Sequence, residues 1–243
     1  CSSDLISDYV TTGANEIAVS VDNRWHHDLS PRAGDHQFTG GIYRDVTLSV
    51  TDDVHVAWYG TAVTTPALTN PDWDTSNAAY YRNIDLTAYP TLDALKANID
   101  AKRSNVRVAT EIENEGSEPV DVSVVQEISD PDGKVIATFE SASQTIAAGL
   151  TATVDASSGA LDDTTAMLTD LRLWSPTDPA LYGVKSSVVV GEKVVDSFSS
   201  SFGFRSAQFR KDGFYLNGVK TLLFGANAHQ DQAGWGNAVA DSG

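Results

Sequence analysis

Apolar residues recur at every second position in short runs along most of this chain, and that period of two constrains its fold most strongly. Side chains alternate across a β-strand, so a half-buried strand reads apolar, polar, apolar. Ile17, Val19 and Val21 share one face of a run over 16–22, and Val46, Leu48 and Val50 share one face over 42–50. A third short run covers 54–59. Val106, Val108, Thr110 and Ile112 alternate before Asn114-Glu115-Gly116, and Val120, Val122 and Val124 alternate after it, which predicts a hairpin. A second hairpin is expected at Asp130-Pro131-Asp132-Gly133, and a third where 184–190 and 194–198 flank Gly191-Glu192. Short strands with regular turn signals predict a mainly β fold, a two-sheet sandwich over 53–204 rather than a parallel sheet.

One helix interrupts the series. Leu92, Leu95 and Ile99 lie at i, i+3 and i+7 within 91–103, with Pro90 or Thr91 at its start. It belongs to a polar stretch, 66–104, that also holds Trp73 and Tyr80-Tyr81 and reads as an insertion between two sandwich strands. After Phe202-Gly203-Phe204-Arg205 the texture changes. A small hairpin about Asn217-Gly218 precedes Thr221-Leu222-Leu223-Phe224-Gly225-Ala226-Asn227, read as a buried apolar strand that delivers the polar loop Ala228-His229-Gln230-Asp231. An apolar strand with polar groups at its C-terminal end is how a (β/α)8 barrel builds an active-site rim.

Charge narrows the partners. The chain has 33 acidic and 16 basic residues and a formal net charge of −17. That field repels phosphate, so nucleic acid and anionic membrane are not expected partners, while neutral sugars remain open. No run approaches the roughly 18 apolar residues of a membrane helix. Cys1 is the sole cysteine, which excludes an internal disulfide and leaves the redox compartment undecided. The chain opens at Cys1-Ser2-Ser3-Asp4 in what reads as the middle of a domain, so a fragment is expected.

Three stretches together resemble glycoside hydrolase family two, the group of β-galactosidases, β-glucuronidases and β-mannosidases. Val21-Asp22-Asn23 with Gly40-Gly41-Ile42-Tyr43-Arg44-Asp45-Val46 is similar to the end of the family's N-terminal sugar-binding jelly roll. Leu173-Trp174-Ser175-Pro176, Pro179-Ala180-Leu181-Tyr182 and Phe202-Gly203-Phe204-Arg205 resemble the close of its immunoglobulin-like middle domain. Phe214-Tyr215-Leu216-Asn217-Gly218 and Gly225-Ala226-Asn227-Ala228-His229-Gln230-Asp231 look like entry into the catalytic barrel in the style of the β-galactosidase branch. The resemblance implies a jelly-roll end at 1–52, an immunoglobulin-like sandwich at 53–204 with the insertion at about 66–104, and the start of a (β/α)8 domain at 205–243. Ala228 stands where the family usually has Arg, which leaves the sugar open.

The implied activity is that of a retaining glycosidase acting on terminal β-galactosides, with two glutamates about 5–5.5 Å apart. Both would lie outside this chain. Asn15-Glu16 leads a strand and Asn114-Glu115 occupies a turn, so neither supplies the pair, and the chain alone is expected to be inactive. By the same resemblance His229 and Asp45 contact the sugar in one pocket, while Asn227 and Asp231 hold the loop or touch substrate. A strand-end salt bridge with Arg44 is the competing role for Asp45. No metal or cofactor is assigned within the chain: His26-His27-Asp28 with Asp35-His36 lacks paired ligand spacing. A monovalent or divalent cation is left open for the full-length enzyme, as is a homo-oligomer. The rival reading is a non-catalytic carbohydrate-binding or adhesion module, or a β-glucuronidase or β-mannosidase of the same family. The compartment leans to secreted or cell-surface bacterial, with a cytoplasmic enzyme nearly as compatible.

Overall fold

The computed structural model describes residues 6–24, 40–42, 44–69, 91–160 and 163–227. Two compact units divide the chain, one made of Val50–Phe224 and the other of Cys1–Ser49 with Gly225–Gly243.

The larger unit is a β-sandwich. Its strands are β1 (Val54–Thr64), β2 (Arg107–Asn114), β3 (Val120–Ser129), β4 (Val135–Glu140), β5 (Gln144–Ile146), β6 (Leu150–Ser157), β7 (Tyr182–Val190) and β8 (Lys193–Phe202). A small terminal sheet follows in β9 (Ala207–Arg210), β10 (Gly213–Leu216) and β11 (Val219–Lys220). One layer has the order β1-β2-β6; the other is β4-β3-β7-β8 with β5 also on β3. All pairings are antiparallel. The alternating residues become the core. Val54, Val56, Ile112 and Val154 from the first layer meet Val122, Val124, Ile146 and Val188 from the second. Val106, Val108, Ile128, Val184, Tyr182 and Phe204 form the adjoining cluster.

Two of the expected hairpins form: Gly133 (φ 84°) closes β3 onto β4, and Gly191 (φ 61°) closes β7 onto β8. The hairpin expected at Asn114-Glu115-Gly116 does not. Here β2 pairs with β1 and β6, whereas β3 pairs with β4, β5 and β7, so the turn carries the chain from one sheet to the other. The apolar faces of Ile112 and Val122 therefore meet across the core instead of lying side by side in one sheet. Periodicity reports which face is buried and not which neighbour is hydrogen-bonded.

The helix α1 (Leu92–Asp100) begins where expected, with Thr91 Oγ1 accepting from Ala94 N–H at 3.2 Å. Leu95 and Ile99 are buried against the sandwich. Buried amides fasten this segment: Asn98 Nδ2 donates to Ala67 O at 3.1 Å, and Ala67 N–H donates to Asn105 Oδ1 at 3.1 Å. The two sides of the 66–104 stretch are thus tied together on the sandwich. Trp73 and Tyr80-Tyr81 lie outside the described residues.

Beyond the sandwich the expected strands are not paired. Residues 16–22 and 44–50 carry no regular secondary structure, and Ile17, Val19, Val46 and Leu48 are exposed. Residues 222–227, expected as a buried strand, are likewise unpaired, and Phe224 is 91% exposed. A barrel strand is buried by strands beside it and helices over it. No described strand pairs with this segment. Among the described residues no helix is long and apolar enough to cross a membrane.

Candidate functional site

The residues after the sandwich are anchored to its closing strand. Trp174 N–H donates to Phe204 O at 2.7 Å, and the Arg205 guanidinium lies 5.5 Å from the Trp174 ring centroid. Gly203 lets this contact form, since a Cβ there would sit 2.9 Å from Trp174 Cβ. Asn217 completes the clasp from the β10–β11 turn: Nδ2 donates to Trp174 O at 3.0 Å, and Oδ1 accepts from Ser206 N–H at 3.0 Å. Its φ of 49°, followed by Gly218 at 78°, is the geometry of a two-residue type I′ hairpin. Tyr182 is buried, edge-on to Phe204 with centroids 4.7 Å apart, and its hydroxyl accepts from Arg172 N–H at 2.9 Å. Leu-Trp-Ser-Pro, Phe-Gly-Phe-Arg and the Asn-Gly hairpin, far apart in sequence, thus converge on one packed joint.

Of the four residues assigned to a sugar pocket, Asp45 and Asn227 are described. Both are solvent-exposed and both belong to the smaller unit. His229 and Asp231 lie outside the described residues, as do the histidines at 26, 27 and 36.

Asn114, which precedes a glutamate, is a structural residue. It is buried, its Nδ2 donates to Glu118 O at 2.9 Å and Ile146 O at 3.1 Å, and its Oδ1 accepts from Gly116 N–H at 3.0 Å. The Asp130 loop is a turn, with Asp130 Oδ1 accepting from Asp132 N–H and Lys134 N–H at 3.0 and 2.9 Å. Shifted acids are held by local hydrogen bonds on the surface. The Thr165 hydroxyl keeps Asp163 below the usual carboxylate range, and the Tyr215 hydroxyl does so for Asp212. The Asp212 hydrogen bond in turn raises Tyr215. Sequence reading missed one grouping: His55, Glu113 and Glu115 offer ligand atoms that all lie within 4.8 Å of one another.

Residues 92–205 match the model for the glycosyl hydrolases family 2. A β-galactosidase of Thermoanaerobacterium thermosulfurigenes is 30% identical over 221 residues, covering 89% of this chain and 24% of that protein. A β-glucuronidase of Formosa agariphila is 30% identical over 242 residues, covering 93% of this chain and 21% of that protein. The crystal structure of Bacteroides uniformis β-glucuronidase superposes with a TM-score of 0.67 at 25% identity, covering 91% of this chain and 23% of that one. The family that this chain resembles is therefore the glycosyl hydrolases family 2. It spans about a quarter of the length of the curated relatives it matches. The matched segment contains most of the sandwich, and it ends at Arg205, at the Trp174 joint.

Proposed function

We propose that the protein acts as a retaining β-glycosidase that removes terminal β-galactosyl groups, with this chain supplying its immunoglobulin-like spacer and the approaches on either side. The match of 92–205 to the glycosyl hydrolases family 2 supports the reaction class. In this reading 1–52 ends a sugar-binding jelly roll and 205–243 opens the catalytic barrel. The Trp174–Arg205–Asn217 joint fixes the direction in which the chain leaves the sandwich. Asp45 would accept hydrogen bonds from two neighbouring sugar hydroxyls, and His229 would donate one as a neutral imidazole. Asn227 and Asp231 would shape the same loop. The two carboxyl groups that perform the chemistry come from elsewhere in the barrel. One protonates the leaving oxygen while the other attacks the anomeric carbon, and water then releases the sugar.

A β-glucuronide substrate is the second reading, favoured by the Formosa and Bacteroides relatives. The net charge of −17 argues for the neutral hexose over the anionic glucuronate. Turnover of a panel of nitrophenyl glycosides by the full-length protein decides between them. The expected order places galactoside above glucuronide; preference for glucuronide overturns the galactosidase reading, and no turnover of any glycoside overturns both. In that protein Asp45→Ala or His229→Ala should lower kcat/KM roughly 10²-fold, since a hydrogen bond to a charged group is worth about 1.5–3 kcal/mol. Two mutants that fold normally and keep wild-type kcat/KM would remove both residues from the site.

A further inference from the structure

We propose that His55, Glu113 and Glu115 form a divalent-cation site of zinc-class preference at the β1–β2 end of the sandwich. The register builds it. His55 and Glu113 are direct cross-strand partners, so their side chains leave the same face of the sheet, opposite the one where Val54, Val56 and Ile112 enter the core. Glu115 follows Glu113 by two residues on that face, and its N–H donates to Asp53 O at 2.8 Å, which extends the ladder past Asn114. The turn behind it is locked by the three hydrogen bonds of the buried Asn114 side chain. The support is rigid before any ion arrives.

The histidine is held in place toward the two carboxylates. His55 is only 9% exposed although it sits on the outward face. Its Nδ1 lies 3.0 Å from Asp52 O, a carbonyl that can only accept, so Nδ1 carries the proton. Nε2, on the other side of the ring, faces the Glu113 carboxylate at 3.5 Å. Nδ1–H donated to a backbone carbonyl, with Nε2 turned toward the carboxylates, is how metal-bound histidines are oriented. One imidazole and two carboxylates suit zinc and its neighbours better than magnesium or calcium, which prefer all-oxygen shells. An ion about 2.0–2.2 Å from each ligand atom would draw them closer than the present 4.8 Å limit, which the exposed Glu115 side chain can accommodate. Such an ion would staple β1 to the turn where the chain changes sheets. Nothing in this assignment depends on the glycosidase reading.

The test is calorimetric titration of zinc ion into the 243-residue chain after chelator treatment, repeated with His55→Gln and Glu115→Gln. Saturable binding is expected, weakened at least about tenfold by Glu115→Gln and abolished by His55→Gln. Glu115 is exposed, so its variant keeps the test valid if His55→Gln fails to fold. The absence of saturable binding below about 1 mM, a Kd equivalent to only about 4 kcal/mol, overturns the proposal. So does zinc binding of unchanged affinity in Glu115→Gln, which would place the ion on other histidines.

Discussion

Gln126 is a fully buried amide on β3, and it spans the sandwich. Its Nε2 donates to Thr110 Oγ1 on β2 at 3.0 Å, and its Oε1 accepts from Ser186 Oγ on β7 at 2.7 Å. Replacing it with Leu keeps the volume but leaves two buried hydroxyls without these partners. Each orphaned group costs about 1–3 kcal/mol, partly offset by the added apolar burial, so Gln126→Leu should destabilise by roughly 3 kcal/mol. With a urea m-value of about 2 kcal/mol/M, the midpoint of unfolding followed by tryptophan fluorescence should fall by roughly 1.5 M. The triple variant Gln126→Leu, Thr110→Val, Ser186→Ala removes the orphans with their partner and should return to within about 1 kcal/mol of wild type. That recovery, a strong non-additivity, is the signature of a closed network. A triple variant no more stable than the single would refute the reasoning, as would a single variant that unfolds at the wild-type midpoint.

Thr61 Oγ1 is the one buried side-chain polar atom without a partner among the described residues; Thr61→Val should raise stability by about 1 kcal/mol in the same urea assay. Asp163 and Asp212 have folded pKa values below their unfolded ones, so their contribution is full above the usual carboxylate value near about 4 and disappears as pH falls through the folded values. Melting scans should show an acid limb there that Asp163→Asn and Asp212→Asn flatten. Tyr215 is raised, so the Asp212 hydrogen bond is also lost as pH climbs through the tyrosine range, and Asp212→Asn should reduce the alkaline loss too. The 243-residue chain by itself should not hydrolyse nitrophenyl galactoside; turnover above a mock preparation would show that it carries its own nucleophile and acid.

The sandwich was legible because its strands bury one face: Val106 to Ile112 and Val184 to Val188 alternate as a two-layer core requires. Turn chemistry was equally readable at Gly133, Gly191 and Asn217-Gly218, where positive φ demands those residues. Pairing was not. Asn114-Glu115-Gly116 has the composition of a hairpin turn, yet Asn114 spends its side chain holding a crossing between sheets. The His55 grouping was hidden for the same reason, because only strand register sets residue 55 against residue 113. For Asp45 and Asn227 the motifs placed the residues in a family pattern, but a pocket is made by partners that periodicity does not name.

The sheet change after β2 has a consequence for the order in which a growing chain can fold. A hairpin would let Val120 to Val124 pair with residues already made. Instead β3 must wait for β7, whose Val188 aligns with Val124 some 60 residues later. At about 5–20 residues per second, synthesis leaves the central strand of the larger sheet without that neighbour for several seconds. During that interval β4 and β5 can pair only its other edge. The edge that β7 will occupy is then open to other nascent chains, and the ribosome-bound protein is the stage at which this sandwich is most exposed to aggregation.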